Sequence, residues 1–180
     1  MFIQTEVTPN PNSLKFLPGK NVSNNGSFEV TKKEETDSEL VRNLLSINGV
    51  TGVFLGADFL SINKKEDIIW EEIKHIVISL INEFYASGIE FVIANELFEE
   101  NKIIYIEIEN KIISILETKI RPAVAKDGGD IKFKEFKDGV VKVELQGSCS
   151  GCPSSTMTLK QGVQNLLCHY LPEVKEVIAI

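Results

Sequence analysis

The sequence predicts an α+β protein built as two small domains, and three observations carry that prediction. Short β-branched stretches with period-two alternation are interspersed with amphipathic stretches at helical spacing, with no strict βαβα rhythm. At 180 residues the chain is long enough for one ordinary domain or two small ones. Between residues 88 and 106 both periodic signals weaken, which separates the two structured halves. The expected division is a first domain at 1–87, a connector at 88–106 and a second domain at 107–180.

The first half opens on Phe2-Ile3-Gln4-Thr5-Glu6-Val7, an expected strand. Thr8-Pro9-Asn10-Pro11-Asn12 then forces a turn or extended loop. Ser13 to Leu17 reads as a second strand stopped by Pro18-Gly19, and Asn21 to Ser27 as a polar loop. Asp37 or Ser38 is placed to cap a helix carrying Leu40, Val41, Leu44 and Leu45, which ends near Asn48-Gly49. Val50 to Phe54 and Phe59 to Ile62 read as a hairpin. A long helix from about Ile69 to Tyr85 sets Trp70, Ile73, Val77, Leu80, Ile81 and Phe84 on one face.

In the connector the period is ambiguous. Ile104, Ile106 and Ile108 alternate like a strand, whereas Ile112, Ile113, Leu116 and Ile120 repeat like a helix. That helix ends near Arg121-Pro122, or one turn later if Pro122 only kinks it. Asp127-Gly128-Gly129-Asp130 is a sharp turn. Strands follow at Ile131 to Phe136 and Val140 to Leu145, then a helix with Met157, Leu159, Val163, Leu166 and Leu167, and a last strand at Val174 to Ile180. The second domain is thus α-β-β-α-β, and helices layered on a small sheet are its expected packing.

Charge is unevenly placed. Residues 1–106 hold nine Lys/Arg and sixteen Asp/Glu (9 − 16 = −7), while residues 107–180 hold ten of each. An acidic first half and a neutral second half offer no footprint for a phosphate backbone, so nucleic acid is not an expected partner. No apolar run approaches membrane-spanning length and no secretory leader is evident, so neither secretion nor membrane insertion is expected. The Ile-, Lys- and Asn-rich composition and Met1 suit a bacterial cytoplasm, with a mitochondrial matrix location expected if the source is eukaryotic.

Three cysteines, an odd and low count, argue against a disulfide framework. Two of them stand in Gly147-Ser148-Cys149-Ser150-Gly151-Cys152-Pro153-Ser154-Ser155, a CxxC between an expected strand and an expected helix. The start of a helix favours thiolate over thiol, so a lowered pKa is expected for cysteines held there. Thiolates bind soft metals and iron–sulfur clusters, or attack disulfides. Gly147 and Gly151 let backbone N–H groups approach sulfur, and Ser148, Ser150, Ser154 and Ser155 offer hydroxyl donors without bulk.

A mononuclear zinc site or a cubane cluster normally takes four protein ligands. Cys149 and Cys152 supply two. Cys168 and His169 lie roughly 24 Å further along the same helix at 1.5 Å per residue, too far to join them. His75 and His169 lack a partner at ligand spacing. The simplest completion is a second copy of the chain, two cysteines from each around a twofold axis.

Asp127 to Asp130, Gly147 to Ser155 and Thr158-Leu159-Lys160-Gln161-Gly162-Val163 resemble the C-terminal domain of NifU-like (Nfu) iron–sulfur cluster proteins. Thr8 to Gly19, Gly49-Val50-Thr51-Gly52-Val53-Phe54, Asp58-Phe59 and Trp70 resemble the Nfu N-terminal domain. The resemblance implies a non-enzymatic scaffold or carrier. It would hold a [4Fe-4S] cluster across a homodimer, a [2Fe-2S] cluster transiently, and pass it to apo iron–sulfur client proteins. Upstream assembly factors are the other implied partners. Cys149 and Cys152 fall on the family's cluster-ligand positions; Cys168-His169 lies outside its motif.

Two other readings of the CxxC compete. A thiol–disulfide oxidoreductase would use Cys149 as nucleophile and Cys152 as resolving thiol, although the expected strand order does not match a thioredoxin start. A structural zinc dimer would hold a colourless metal and unfold on its removal. Elsewhere the plain readings are Cys168 as a buried inert thiol, Trp70 as core, and Asp127 to Asp130 as turn chemistry. The Thr8 to Gly19 segment divides evenly between turn chemistry and a client contact.

Overall fold

The computed structural model describes residues 2–24, 26–92 and 106–180. The chain falls into two compact units, Met1–Leu97 and Phe98–Ile180, each with its own apolar core. The architecture is α+β in both.

In the first unit, strands β1 (Gln4–Val7), β2 (Ser13–Leu17), β3 (Phe28–Val30), β4 (Val50–Leu55) and β5 (Leu60–Lys64) form one sheet. Their order is β1-β2-β5-β4-β3, antiparallel throughout. Helix α1 (Glu39–Leu45) starts at Ser38, whose hydroxyl accepts the Val41 N–H. It buries Leu40, Val41 and Leu44, and α2 (Trp70–Ala86) buries Ile73, Val77 and Ile81. These faces share a core with Phe16, Val53, Leu55, Leu60 and Ile62. Phe54 and Phe59 pair at 5.9 Å, with the Lys15 ammonium 4.5 Å from the Phe59 ring.

The Thr8-Pro9-Asn10-Pro11-Asn12 loop is held by its own turn chemistry. Thr8 Oγ1 donates to the carbonyls of Asn10 and Ser13, and Asn10 Oδ1 accepts the Asn12 N–H. Trp70 Nε1 donates to the Pro11 carbonyl at 3.1 Å, and Lys64 Nζ to Asn12 Oδ1 at 3.0 Å. Trp70 packs half-buried against the core, 6.5 Å from Phe16.

In the second unit, α3 (Glu107–Ile115) leads into a π-helical segment (Leu116–Ile120) and then α4 (Arg121–Lys126). The ambiguous Ile106 to Ile120 stretch is therefore helical from Glu107 onward; Ile104 lies outside the described residues. Pro122 sits at the start of α4, so the chain continues one turn past it. A π-turn ahead of a proline relieves the ring's conflict with the preceding backbone.

Strands β6 (Gly129–Lys137) and β7 (Val140–Gly147) pair antiparallel, and β8 (Glu176–Ala179) joins β7 in parallel after α5 (Pro153–Tyr170). One face of the sheet, including Ile131, Val141, Val143 and Leu145, packs with Ile112, Leu116, Val124, Val163 and Leu167. Met157, placed by its spacing on the apolar stripe, is instead 73% exposed. No helix among the described residues is long and apolar enough to cross a membrane.

Candidate cluster-binding site

Strand β7 delivers the CxxC loop and α5 receives it. Gly147 and Gly151 take φ of 68° and 77°, left-handed values that a side chain would strain. The turn is closed by Ser150 N–H and Oγ, both donating to the Gly147 carbonyl. Cys152 is the N-cap residue of α5, its carbonyl accepting the Thr156 N–H at 2.9 Å. Thr156 Oγ1 donates to the Cys149 carbonyl at 3.1 Å, tying the first turn of α5 to the loop. Cys152 is half-buried at the positive end of an eighteen-residue helix.

Cys149 is placed differently. It is 7% exposed and belongs to the core of the unit. Its wall is the Asp127-Gly128-Gly129-Asp130 turn. Ser148 N–H donates to the Gly128 carbonyl, and Ser148 Oγ to the Asp127 carbonyl. A β-carbon added at Gly129 would stand 2.7 Å from Cys149 Sγ and 2.5 Å from the Gln146 carbonyl oxygen. Glycine at 129 is required by that close approach.

The expected lowering of thiol pKa does not hold at Cys149. Burial pushes it from its ordinary 9.0 up to about 11, against the opposing hydrogen bond from Ser148. The start of α5 lies at Cys152, while Cys149 sits against apolar side chains that disfavour charge.

A stability effect follows. In the unfolded chain the Cys149 thiol ionises near 9, and in the folded chain near 11. Its contribution to stability is complete below pH 9 and is lost as pH rises to 11. The advantage of reduced, metal-free protein over Cys149→Ala should shrink by about 2 kcal/mol across that window. Urea unfolding at stepped pH checks this; a constant difference between the two proteins would refute it.

The wall itself is anchored by an ion pair that sequence reading did not find. Arg121 Nε and Nη2 donate to Asp130 Oδ1 and Oδ2, both at 2.8 Å, and Asp130 is only 5% exposed. Asp130 Oδ1 also accepts the Ile131 N–H. The hydrogen bond to Asp130 holds the Arg121 guanidinium above its ordinary pKa. The available signal was a cation at the start of α4 with an acid opening a strand.

All three cysteines are free thiols. Cys168 is half-buried against the core, and His169 is exposed, stacked edge-on with Tyr170 at 5.1 Å. His75 is exposed on α2. Among the described residues no group of three or more His, Cys, Asp or Glu side chains could hold a metal ion. The side chains of Ser154 and Ser155 lie outside the described residues. What the loop offers is a pair of soft sulfur donors on small residues, half of a tetrathiolate set.

A two-unit α+β chain with a glycine-flanked CxxC between strand and helix defines a class, and comparison with known proteins identifies it. Residues 3–88 match the family described as scaffold protein Nfu/NifU N terminal, and residues 112–178 match the NifU-like domain. The protein named NFU1 iron-sulfur cluster scaffold homolog, mitochondrial, from Drosophila erecta is 46% identical over 98% of this chain and 64% of its own length. The human protein of that name is 44% identical over 98% of this chain and 71% of its own length. A solution NMR structure of a NifU-like protein from Saccharomyces cerevisiae matches at 34% identity and TM-score 0.48, covering 53% of this chain and 87% of that one. The chain belongs to the NifU-like (Nfu) family. It spans just under two thirds of the length of the Drosophila relative.

Proposed function

We propose that this protein is an iron–sulfur cluster scaffold and carrier, not an enzyme, and that its cargo is a [4Fe-4S] cluster shared between two copies of the chain. The observation that carries the reading is the thiol pair. Cys149 and Cys152 flank a turn of small residues, and one chain provides two of the four sulfurs a cubane takes. The relatives' name, iron-sulfur cluster scaffold, supports the same function.

Within the site, Cys152 stands half-exposed at the positive end of α5, where the partial charge favours thiolate. Cys149 gives up its proton on binding iron, so loading releases protons and weakens as pH falls. The chemistry is ligand exchange. A client's thiolate forms a bond to iron as a carrier Cys–iron bond breaks, and the cluster changes owner with no net redox step.

Each unit has its own core, which supports 107–180 as the cluster-binding part and 1–87 as the part that selects partners. The relatives' names include the word mitochondrial, which favours a mitochondrial location over the expected bacterial cytoplasm.

The test is anaerobic reconstitution with iron and sulfide, read by Mössbauer spectra together with iron, sulfide and mass per complex. The expected result is one four-iron cluster per dimer, abolished by either Cys149→Ala or Cys152→Ala. A colourless monomer whose Cys149 and Cys152 cycle as a disulfide would overturn the proposal.

A further inference from the structure

Within the unit Met1–Leu97, a groove of about 430 Å³ opens between the N-terminal end of α1 and the C-terminal end of α2, with residues 89–92 along a third side. Its floor is apolar. Leu40 is buried, Leu80 and Phe84 are half-buried, and Ile89 is 50% exposed. Its rim carries Asp37, Glu39 and Glu83, and among the described residues no Lys or Arg lines it. Asp37 is matched by Arg42 at 3.1 Å. Among the described residues Glu39 and Glu83 form no ion pair.

We propose that this groove docks a basic, amphipathic segment of a partner protein. An apolar side chain of that segment fills the floor between Leu40, Leu80, Phe84 and Ile89. Flanking Lys or Arg side chains meet Glu39 and Glu83. Charge complementarity selects this occupant. Residues 93–105 carry Glu96, Glu99 and Glu100 against Lys102 alone, a charge balance that does not complement this rim. The groove lies away from both cysteines in sequence and in unit, so this inference does not rest on the cluster reading.

The test uses the full chain and a fluorescein-labelled helical peptide of leucine and lysine, read by fluorescence anisotropy at physiological salt. A leucine–glutamate peptide and a serine–lysine peptide serve as comparisons. The leucine–lysine peptide should bind with a Kd on the order of 10 μM, and the other two at least ~tenfold more weakly. The double variant Glu39→Gln/Glu83→Gln should weaken the leucine–lysine peptide about fivefold, and Ile89→Ser by a similar factor. Glu71→Gln/Glu72→Gln, an equal charge change on exposed residues of α2, should leave binding unchanged.

Equal weakening by the α2 control, or equal binding of the serine–lysine peptide, would reduce the effect to general electrostatics and overturn the proposal. Failure of the wild type to bind the leucine–lysine peptide would overturn it as well. So would self-association that Glu39→Gln/Glu83→Gln abolishes, because the occupant would then be a second copy.

Discussion

Replacing Arg121 with alanine should destabilise the C-terminal unit by about 3 kcal/mol, the low end of the range for a buried ion pair because Asp130 is buried while the Arg121 side chain is 35% exposed. Asp130 is 5% exposed, and both of its carboxylate oxygens take Arg121 hydrogen bonds at 2.8 Å. Without Arg121, the Ile131 N–H remains as a partner to a charge that water barely reaches. For a unit this small the loss corresponds to a fall in Tm of roughly 15 °C. Arg121→Lys should recover only part of it, since an ammonium cannot reproduce the two-toothed contact. Arg121→Ala combined with Asp130→Ala should cost less than the sum of the single changes. Thermal melts followed by circular dichroism check this, the transition of the N-terminal unit serving as an internal reference. A loss under 1 kcal/mol would show that solvent reaches Asp130 after all.

Adding one methyl group at Gly129 should disturb the site more directly. The new carbon meets the Gln146 carbonyl oxygen at 2.5 Å and Cys149 Sγ at 2.7 Å, so strand or thiol must move. Overpacking of this kind costs about 1–3 kcal/mol. The larger effect is on binding, because the displaced atom is the sulfur itself. Gly129→Ala should therefore retain a folded N-terminal unit, lower the Tm of the C-terminal one, and hold far less iron after reconstitution. Iron content equal to wild type would mean that Cys149 leaves its pocket when it binds the cluster. That outcome would place the wall at Gly129 outside the holding geometry.

Much of the fold was legible because its period is strong. The alternation of Val141, Val143 and Leu145 places β7 with one face in the core, and Ile73, Val77 and Ile81 mark the buried stripe of α2. Asp37 or Ser38 marked the start of α1 by capping chemistry, and the hydroxyl that caps it is that of Ser38. Strand β3 escaped notice because three residues, Phe28–Val30, are too few to show a period, and only pairing with β4 makes them a strand. The π-segment before Pro122 was equally hidden, since the proline announces a break without saying how the backbone absorbs it.

At the site, the thiol pair and its glycines were visible in the motif, but their inequality was not. Neighbours in sequence put both cysteines at a helix start. Neighbours in space put Cys149 against the 127–130 turn and Cys152 at the cap. Asp130 illustrates the same limit. As a letter beside two glycines it reads as turn chemistry, and its role as the anchor of the wall emerges only when α4 brings Arg121 to it.

The parallel pairing of β8 with β7 bears on how the protein is made. Antiparallel β6 and β7 can close as a hairpin as soon as both have left the ribosome. The crossover through α5 cannot close until Glu176–Ala179 emerge and settle beside Val140 to Val143. Until β8 docks, Cys149 and Cys152 stand on a loop whose frame is incomplete. In refolding, metal or oxidant added before that step meets the pair outside the pocket that later shields Cys149.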